Sequence, residues 1–186
     1  MRVLGISGSL RRGSYNARLL RQAGELLPGG FELEVFDGLR EVPPYDADQD
    51  VEPAPEAVRR LREAIAEADA LLIATPEYNS SIPGLLKNAL DWASRPFPDN
   101  VLRGKPVAVI GASTSSFGAV WAQAETRKVL GASGARVIDR DLPVAKAQEA
   151  FDGDGDLVDP GLRSRLEGLL ATLAAEAERS SQPLAA

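Results

Sequence analysis

The 186-residue chain contains no cysteine and no histidine. Without cysteine there is no disulfide and no thiolate nucleophile. Without either residue, the usual zinc sites and the nucleophile pairs built on histidine are excluded. No remaining side chain has an ordinary pKa near neutrality. If the protein performs redox chemistry, a bound cofactor must therefore carry it.

Long apolar runs are also missing. No stretch has the length of a membrane-spanning helix, and the N-terminal segment 1–7 lacks the apolar region and cleavage site of a signal peptide. The formal net charge of −6 disfavours binding to nucleic acid, which depends on neutralising phosphates with Lys and Arg. We therefore expect a cytoplasmic protein that binds neither membranes nor nucleic acid.

What the chain does contain is a regular alternation of apolar runs and helical patterns, typical of a doubly wound α/β fold. The predicted strands are Arg2–Ser7, Phe31–Phe36, Ala70–Thr75, Pro106–Ala112 and Ala135–Asp139. The predicted helices are Tyr15–Leu27, Glu56–Ala68, Gly84–Ala93, Ala119–Leu130 and Leu162–Ala177. The length predicts one domain over residues 1–179, followed by a disordered tail at 180–186.

The strand order 2-1-3-4-5 fits these patterns best. The second strand alternates apolar and acidic residues, which is typical of a sheet edge, whereas the third and fourth are continuously apolar and therefore central. In this order, strand two lies on one side of strand one and strands three to five lie on the other. The direction in which the chain adds strands therefore reverses between strands one and three. Ligands bind outside the carboxyl ends of strands at such a point. The loops there are 7–16, 75–83 and 112–118.

The first of these loops has the composition of an anion site. It carries two glycines that let the backbone approach a ligand, several serine hydroxyls, and Arg11 and Arg12, and it opens directly into a helix. Guanidinium groups match phosphate geometry. A plain strand-to-helix connection capped by Ser14 is the alternative, but a cap needs only one hydroxyl.

The other two loops are suited to hold a flat ligand. The second contains two prolines, an asparagine that tolerates unusual dihedral angles and one tyrosine, which together suit the rim of a heteroaromatic site. The third is rich in small polar residues. In the helix after the second loop, Lys87 and Asp91 are spaced to pair, and Trp92 is assigned to the core or to an interface.

Two further segments are distinctive. The acidic, proline-containing loop 37–55 is long enough to indicate a functional rim rather than a simple connection. The segment 151–159 superficially resembles a calcium loop, but it lacks the terminal glutamate at the required spacing. A solvated acidic turn is the favoured interpretation, and we predict no metal site.

Three motifs together resemble the NADPH-dependent FMN reductase family, which includes bacterial quinone and chromate reductases. They are Gly8-Ser9-Leu10-Arg11-x-Gly13-Ser14-x-Asn16, Pro76-Glu77-Tyr78-Asn79 and Leu86-Lys87-Asn88-Ala89-Leu90-Asp91-Trp92. The resemblance runs in order from Met1 to about Asp139. It implies a flavodoxin-like fold with helices on both faces of the sheet and a non-covalently bound FMN.

The resemblance also implies a set of cofactor-binding residues. Ser9, Arg11, Ser14 and Asn16 would hold the FMN phosphate, with Tyr15 beside them; Pro76, Glu77, Tyr78 and Asn79 would line the isoalloxazine edge; Ser113 and Gly118 would border the ring. The family usually forms dimers or tetramers. After the third loop, Gln123 and Arg127 match the family pattern but Trp121 and Ala124 do not, which favours a homodimer over a homotetramer.

We therefore expect an NAD(P)H-dependent oxidoreductase. NADPH or NADH would reduce the bound FMN, and a quinone, a free flavin or a similar small-molecule electron acceptor would be reduced in turn. No side chain is expected to be catalytic in the strict sense, because the flavin N5 carries the chemistry. Two alternatives stay open: a flavodoxin-like electron carrier without NAD(P)H turnover, and a flavin-free binding module on the same scaffold.

Overall fold

The computed structural model describes residues 1–181, which form a parallel sheet with helices on both faces. The elements are β1 Arg2–Ser7, α1 Tyr15–Leu26, β2 Glu32–Val35, α2 Glu56–Glu67, β3 Ala70–Ala74, α3 Gly84–Ala93, β4 Pro106–Ala112, α4 Val120–Ala132, β5 Arg136–Val137, β6 Pro143–Val144, α5 Ala147–Ala150 and α6 Pro160–Ser181. The predicted strands and helices are thus all present, with ends that shift by up to four residues.

The strands are ordered β2-β1-β3-β4-β5, which confirms the predicted order. The prediction of five strands was incomplete, because β6 pairs in parallel with the last two residues of β4. β5 pairs only with the first two residues of β4, so the two short strands share this side of it. β6 begins at Pro143 and is two residues long, too short to produce a detectable sequence pattern.

Side-chain alternation along the strands divides the core into two clusters. In β1, Val3 faces a cluster with α1 and α6, whereas Leu4 and Ile6 face a cluster with α2 and α3. All residues of β3 and β4 are buried, as expected of central parallel strands, whereas β2 is mostly exposed at the edge. The carboxyl ends of β1, β3 and β4 therefore lie side by side.

The last helix is longer than predicted. The pattern indicated a helix over 162–177 and a tail from residue 180, but α6 continues through Ser180 and Ser181, so that part of the tail prediction was wrong. Residues 182–186 of the predicted tail lie outside the described residues. Within residues 1–181, no helix combines the length and the hydropathy that a bilayer crossing requires.

The acidic segment 37–55 packs against α2 and α3. Leu39, Val42 and Ala54 are buried in the α2–α3 cluster, and the segment contains two short 3₁₀ turns. The Trp92 indole Nε1 donates a hydrogen bond of 2.8 Å to the carbonyl oxygen of Pro43. Trp92 is fully buried, which assigns it to the core.

Candidate functional site

The three loops at the carboxyl ends of β1, β3 and β4 enclose an open cleft of about 220 Å³. Its lining residues are Ser9, Arg11, Ser14, Tyr15, Asn16, Pro76, Glu77, Tyr78, Ala112, Ser113 and Thr114. These include every predicted site residue except Asn79 and Gly118. No residue of the acidic segment 37–55 lines this cleft.

The first loop presents hydrogen-bond donors around the start of α1. Ser14 is the N-cap of the helix, and its hydroxyl accepts a hydrogen bond of 3.2 Å from the Ala17 N–H. The N–H groups of Tyr15 and Asn16, in the first turn, have no acceptor within the helix. Next to them, the Ser9 hydroxyl makes no hydrogen bond within residues 1–181. These donors face the same end of the cleft, so it suits an anion.

Arg11 and Tyr15 lie in contact at this end of the cleft. Arg11 donates a hydrogen bond of 2.7 Å to the Gly13 carbonyl oxygen, and its guanidinium carbon lies 5.2 Å from the centre of the Tyr15 ring. The Arg18 guanidinium lies 5.6 Å from the same ring, which stacks on Phe151 at 5.9 Å. Two cations therefore border the ring beside the helix N-terminus.

Asn16 connects the first loop to the third. Its side-chain amide donates to the Ala112 carbonyl oxygen at 3.0 Å, and its side-chain oxygen accepts from the Ala112 N–H at 2.9 Å. Asn16 is 3% exposed and Ala112 is 2% exposed. Both polar atoms of the Asn16 side chain are thus engaged by the protein, and the residue fixes the separation of two walls of the cleft.

The tip of the second loop is a tight turn. The N–H and carbonyl groups of Tyr78 exchange hydrogen bonds with those of Ser81, and Asn79 and Ser80 both have positive φ angles, of 53° and 59°. This is the geometry of a type I′ turn. Asn79 projects at the exposed tip and does not line the cleft. The Tyr78 N–H is taken within the turn, whereas those of Glu77 and Asn79 have no protein acceptor among residues 1–181.

The side chain of Glu77 caps α4. Its Oε2 atom accepts hydrogen bonds from the N–H groups of Trp121 at 3.0 Å and Ala122 at 3.1 Å. The helix has no cap of its own, because the residue before it is Ala119, with φ +61° and no side-chain hydrogen bond. The carboxylate is therefore directed at a helix N-terminus, where negative charge is favourable.

A second carboxylate makes the reciprocal connection. Glu125 of α4 accepts hydrogen bonds through Oε2 from the Ser81 hydroxyl at 2.6 Å and from the Ile82 N–H at 3.0 Å. The pKa of this carboxyl lies below its ordinary value. The largest cause is the hydrogen bond from the Ser81 hydroxyl, and the Ile82 N–H and the charges of Lys128 and Lys87 add smaller effects. Both arms of the second loop are thus bonded to α4.

The third loop is held by β6 and its continuation. The N–H of Ser113 donates to the Val144 carbonyl oxygen at 3.0 Å. Gly118 is buried away from the cleft, with φ +60°, and a Cβ at this position would lie 2.7 Å from the backbone carbon of Pro143. Only glycine fits there. Gly118 therefore shapes the turn that leads into α4, rather than the lining of the cleft.

Three aromatic side chains are exposed on the loops around the cleft and at the start of α4. Tyr78 is 56% exposed, Phe117 is 58% exposed and Trp121 is 46% exposed. The rings of Phe117 and Trp121 lie 4.8 Å apart. We call Tyr78, Phe117 and Trp121 the aromatic rim.

On α3, Lys87 and Asp91 form the predicted ion pair, at 2.6 Å.

Sequence reasoning missed Ala112, Thr114 and Glu125. Ala112 and Thr114 flank Ser113, and their position follows only from the end of β4. Glu125 bonds to residues 43 and 44 positions earlier in the chain. Its helical neighbours give no signal of this contact.

The arrangement suits a ligand with an anionic end and a flat polar ring. One end of the cleft offers hydroxyls, helix N–H groups and a guanidinium. Among residues 1–181, Glu77 is the only carboxylate that lines the cleft, and it is engaged with α4. The other end is bordered by proline, tyrosine and backbone N–H groups. A flavin mononucleotide has this distribution of chemistry, so the residues present fit it.

Comparison with known proteins gives a consistent result. Residues 1–149 match the family model described as NADPH-dependent FMN reductase. The chain is 45% identical over 174 residues to an NAD(P)H-dependent FMN reductase from Pseudomonas aeruginosa, with 93% of each protein covered. It is 38% identical over 176 residues to a 2-hydroxy-1,4-benzoquinone reductase from a Burkholderia species, with 94% of this chain and 95% of that protein covered.

A solved structure extends the similarity to three dimensions. The flavoenzyme NAD(P)H:(acceptor) oxidoreductase from Paracoccus denitrificans matches with a TM-score of 0.83 at 37% sequence identity. The match covers 96% of this chain and 97% of that one.

Proposed function

This chain belongs to the NADPH-dependent FMN reductase family, and from that premise we propose which residues hold the cofactor and which acceptor is reduced. The protein is an NAD(P)H-dependent flavin oxidoreductase that uses FMN. Membership of an FMN-using family excludes the flavin-free binding module. It also disfavours an electron carrier, because the name of the family specifies NADPH-dependent reduction.

The anionic end of the cleft is proposed to hold the FMN phosphate. Ser9, Ser14 and Arg11 would donate hydrogen bonds to it, together with the first-turn N–H groups of Tyr15 and Asn16. Charge-assisted hydrogen bonds of this kind are the stronger ones. Asn16 would contribute through its backbone, since its side chain is engaged by Ala112.

The second and third loops are proposed to hold the flavin ring. Pro76 stiffens the loop, Tyr78 borders the ring, and the free N–H group of Glu77 is available to negative charge on it. Ser113 lines the opposite wall. Gly118 supports that wall from behind, so its proposed role is indirect. When bound, FMN supplies the redox chemistry, in which a hydride leaves the nicotinamide and two electrons reach the acceptor.

A quinone is the proposed acceptor. The relative from Burkholderia is named a 2-hydroxy-1,4-benzoquinone reductase and matches along almost its whole length. Tyr78 lines the cleft and offers an exposed ring, on which a flat quinone can stack. None of the side chains that line the cleft needs to act as an acid or base in hydride transfer, which agrees with the absence of histidine.

The observation that carries this proposal is the convergence of three loops on one cleft with an anion-binding end and an aromatic end. The test is a visible spectrum of the purified protein, followed by anaerobic addition of NADPH and then of 1,4-benzoquinone. We expect a flavin spectrum that NADPH bleaches within seconds and the quinone restores. A flavin spectrum that NADPH leaves unchanged indicates an electron carrier. If the quinone does not reverse the bleaching, the proposal that a quinone is the electron acceptor is refuted.

The phosphate assignment has its own test. Replacing Arg11 with alanine is expected to weaken FMN binding about tenfold or more, because a charged hydrogen bond contributes roughly 1.5–3 kcal/mol. Riboflavin, which has no phosphate, should bind the variant and the wild type equally. The control is Arg12→Ala, an exposed arginine of the same loop that does not line the cleft. If Arg11→Ala lost affinity equally for FMN and for riboflavin, the assignment of Arg11 to the phosphate would be contradicted.

We further propose that the protein is a homodimer whose second copy packs against Phe117 and Trp121 of the aromatic rim. The cleft volume of about 220 Å³ lies below the roughly 300–1,000 Å³ usual for small-molecule sites. An FMN molecule would therefore extend beyond it, towards the exposed rings. The double substitution Phe117→Glu and Trp121→Glu should give monomers by light scattering, whereas the exposed control Val158→Glu should not. Dimers in both variants would contradict the proposal.

A cytoplasmic location is proposed as well, since reduced nicotinamide cofactors are available there. Fractionation of cells that express the tagged protein, with detection by antibody, tests it. Recovery in any other fraction would contradict it.

A further inference from the structure

The second loop has little internal support for its conformation. Its tip places Asn79 and Ser80 in the left-handed region, which asparagine tolerates but which costs serine about 1–2 kcal/mol. Among the described residues, only the paired hydrogen bonds between Tyr78 and Ser81 close the turn. A loop with this strain keeps a single conformation only when its surroundings hold it.

The surroundings that hold it are two carboxylates. Glu77 bonds the outgoing arm to the N-terminus of α4, and Glu125 bonds the returning arm at Ser81 and Ile82. The two connections differ in what they support. The Glu77 carboxylate completes the helix, whereas the Glu125 carboxylate acts on the loop alone. Four hydrogen bonds to charged groups thus set the position of the loop against α4.

We propose that Glu125 is a positioning residue for the flavin: it fixes the returning arm of the second loop so that Pro76, Glu77 and Tyr78, which line the cleft, meet the isoalloxazine ring. This inference rests on the proposed placement of the ring against the second loop. Glu125 does not line the cleft, so it acts through the loop and not by contact with the cofactor.

The placement of Glu125 separates its effect from that of the phosphate residues. Loss of its carboxylate loosens the loop that faces the ring and leaves the donors around α1 unchanged. Because FMN and riboflavin share the ring, both should lose affinity by the same factor. A defect at the phosphate end would instead affect FMN alone.

The test measures dissociation constants of FMN and of riboflavin by quenching of flavin fluorescence. The variants are Glu125→Ala, Glu125→Gln and the control Glu63→Ala, an exposed glutamate on α2. Glu125→Ala removes both hydrogen bonds to the returning arm and should raise both constants about tenfold. Glu125→Gln keeps one acceptor oxygen, which has two lone pairs but no charge, and should raise both dissociation constants about threefold. The control should match the wild type.

Hydrogen exchange of the flavin-free proteins supplies a readout that is independent of binding. The Ile82 amide should exchange faster in both Glu125 variants, while the amides of β1 keep their wild-type rates. If Glu125→Ala does not fold, Glu125→Gln carries both measurements.

Each outcome has a distinct meaning. Unchanged affinities in the Glu125 variants, or a loss confined to FMN, overturn the inference and leave the function intact. If the wild type binds neither flavin, the proposed cofactor site fails and the inference fails with it. Equal loss for both flavins, partly restored in the glutamine variant, supports it.

Discussion

Replacing Asn16 with leucine tests how the cleft is held together. Leucine has the same number and branching of side-chain heavy atoms as asparagine and is not smaller, so the change removes two hydrogen bonds of 3.0 and 2.9 Å without opening a cavity. It also leaves the N–H and carbonyl groups of Ala112 without their partner at a site only 2% exposed. Each lost hydrogen bond costs about 1 kcal/mol, and each unsatisfied buried group roughly 1–3 kcal/mol.

These contributions overlap, and we expect the flavin-free Asn16→Leu variant to lose about 2–4 kcal/mol of unfolding free energy. Urea denaturation followed by circular dichroism measures this loss directly. The matched control is Arg12→Ala in the same loop, which is exposed and should stay within about 0.5 kcal/mol of the wild type.

The result that would refute this reasoning is a flavin-free Asn16→Leu variant as stable as the wild type. If that variant also bound FMN weakly, the Asn16 side chain would act on the phosphate, as the family resemblance implies. If it is destabilised as expected, Asn16 acts first as a connection between the first and third loops. Measuring stability and FMN affinity on the same preparations separates the two roles.

Three further predictions concern the surroundings of the site. Gly118→Ala should lower the free energy of unfolding by about 2–4 kcal/mol, because its Cβ would lie 2.7 Å from the backbone of β6 and its φ is +60°. The control Gly131→Ala lies in α4 with open space around it and should raise the free energy of unfolding by about 0.5–1 kcal/mol. Ser80→Gly should raise stability by about 0.5–1 kcal/mol in thermal unfolding, because glycine adopts a φ of 59° without strain; a lower melting temperature would show that the turn is not left-handed. The Ser81 hydroxyl above all holds the pKa of Glu125 below its ordinary value of 4.5, so the stabilisation from the ionised carboxylate is present above that pH and is lost as the pH falls through the lower folded value. The stability difference between wild type and Glu125→Gln should therefore be constant from about pH 8 to 5 and shrink in more acidic solution, and a difference that grows there would contradict the assignment.

Much of the fold was predictable because its signals are local. Continuous apolar runs identified β3 and β4 as central, and the acidic alternation identified β2 as an edge. The strand order followed from those two facts. The short β6 was missed because pairing with the end of β4, and not its own composition, makes it a strand.

The candidate site divides in the same way. Ser9, Arg11, Ser14 and Tyr78 lie in loops whose composition indicates a ligand, and they line the cleft. Gly118 and Asn79 come from the same loops but lie elsewhere, one packed against β6 and the other at the tip of a turn. Composition marks a loop as a whole, whereas the direction of each residue depends on the backbone that surrounds it.

By itself, the sequence determined the chemistry that is possible and the edge of the sheet where it occurs. The absence of cysteine and histidine assigned any redox step to a cofactor, and the order of apolar runs placed three loops together. Only the tertiary structure decided how those loops are held. The side chain of Asn16 reaches a residue 96 positions away, and that of Glu125 reaches one 44 positions away. Periodicity reports which face of an element is buried, but it carries no information about which distant polar group completes a hydrogen bond there.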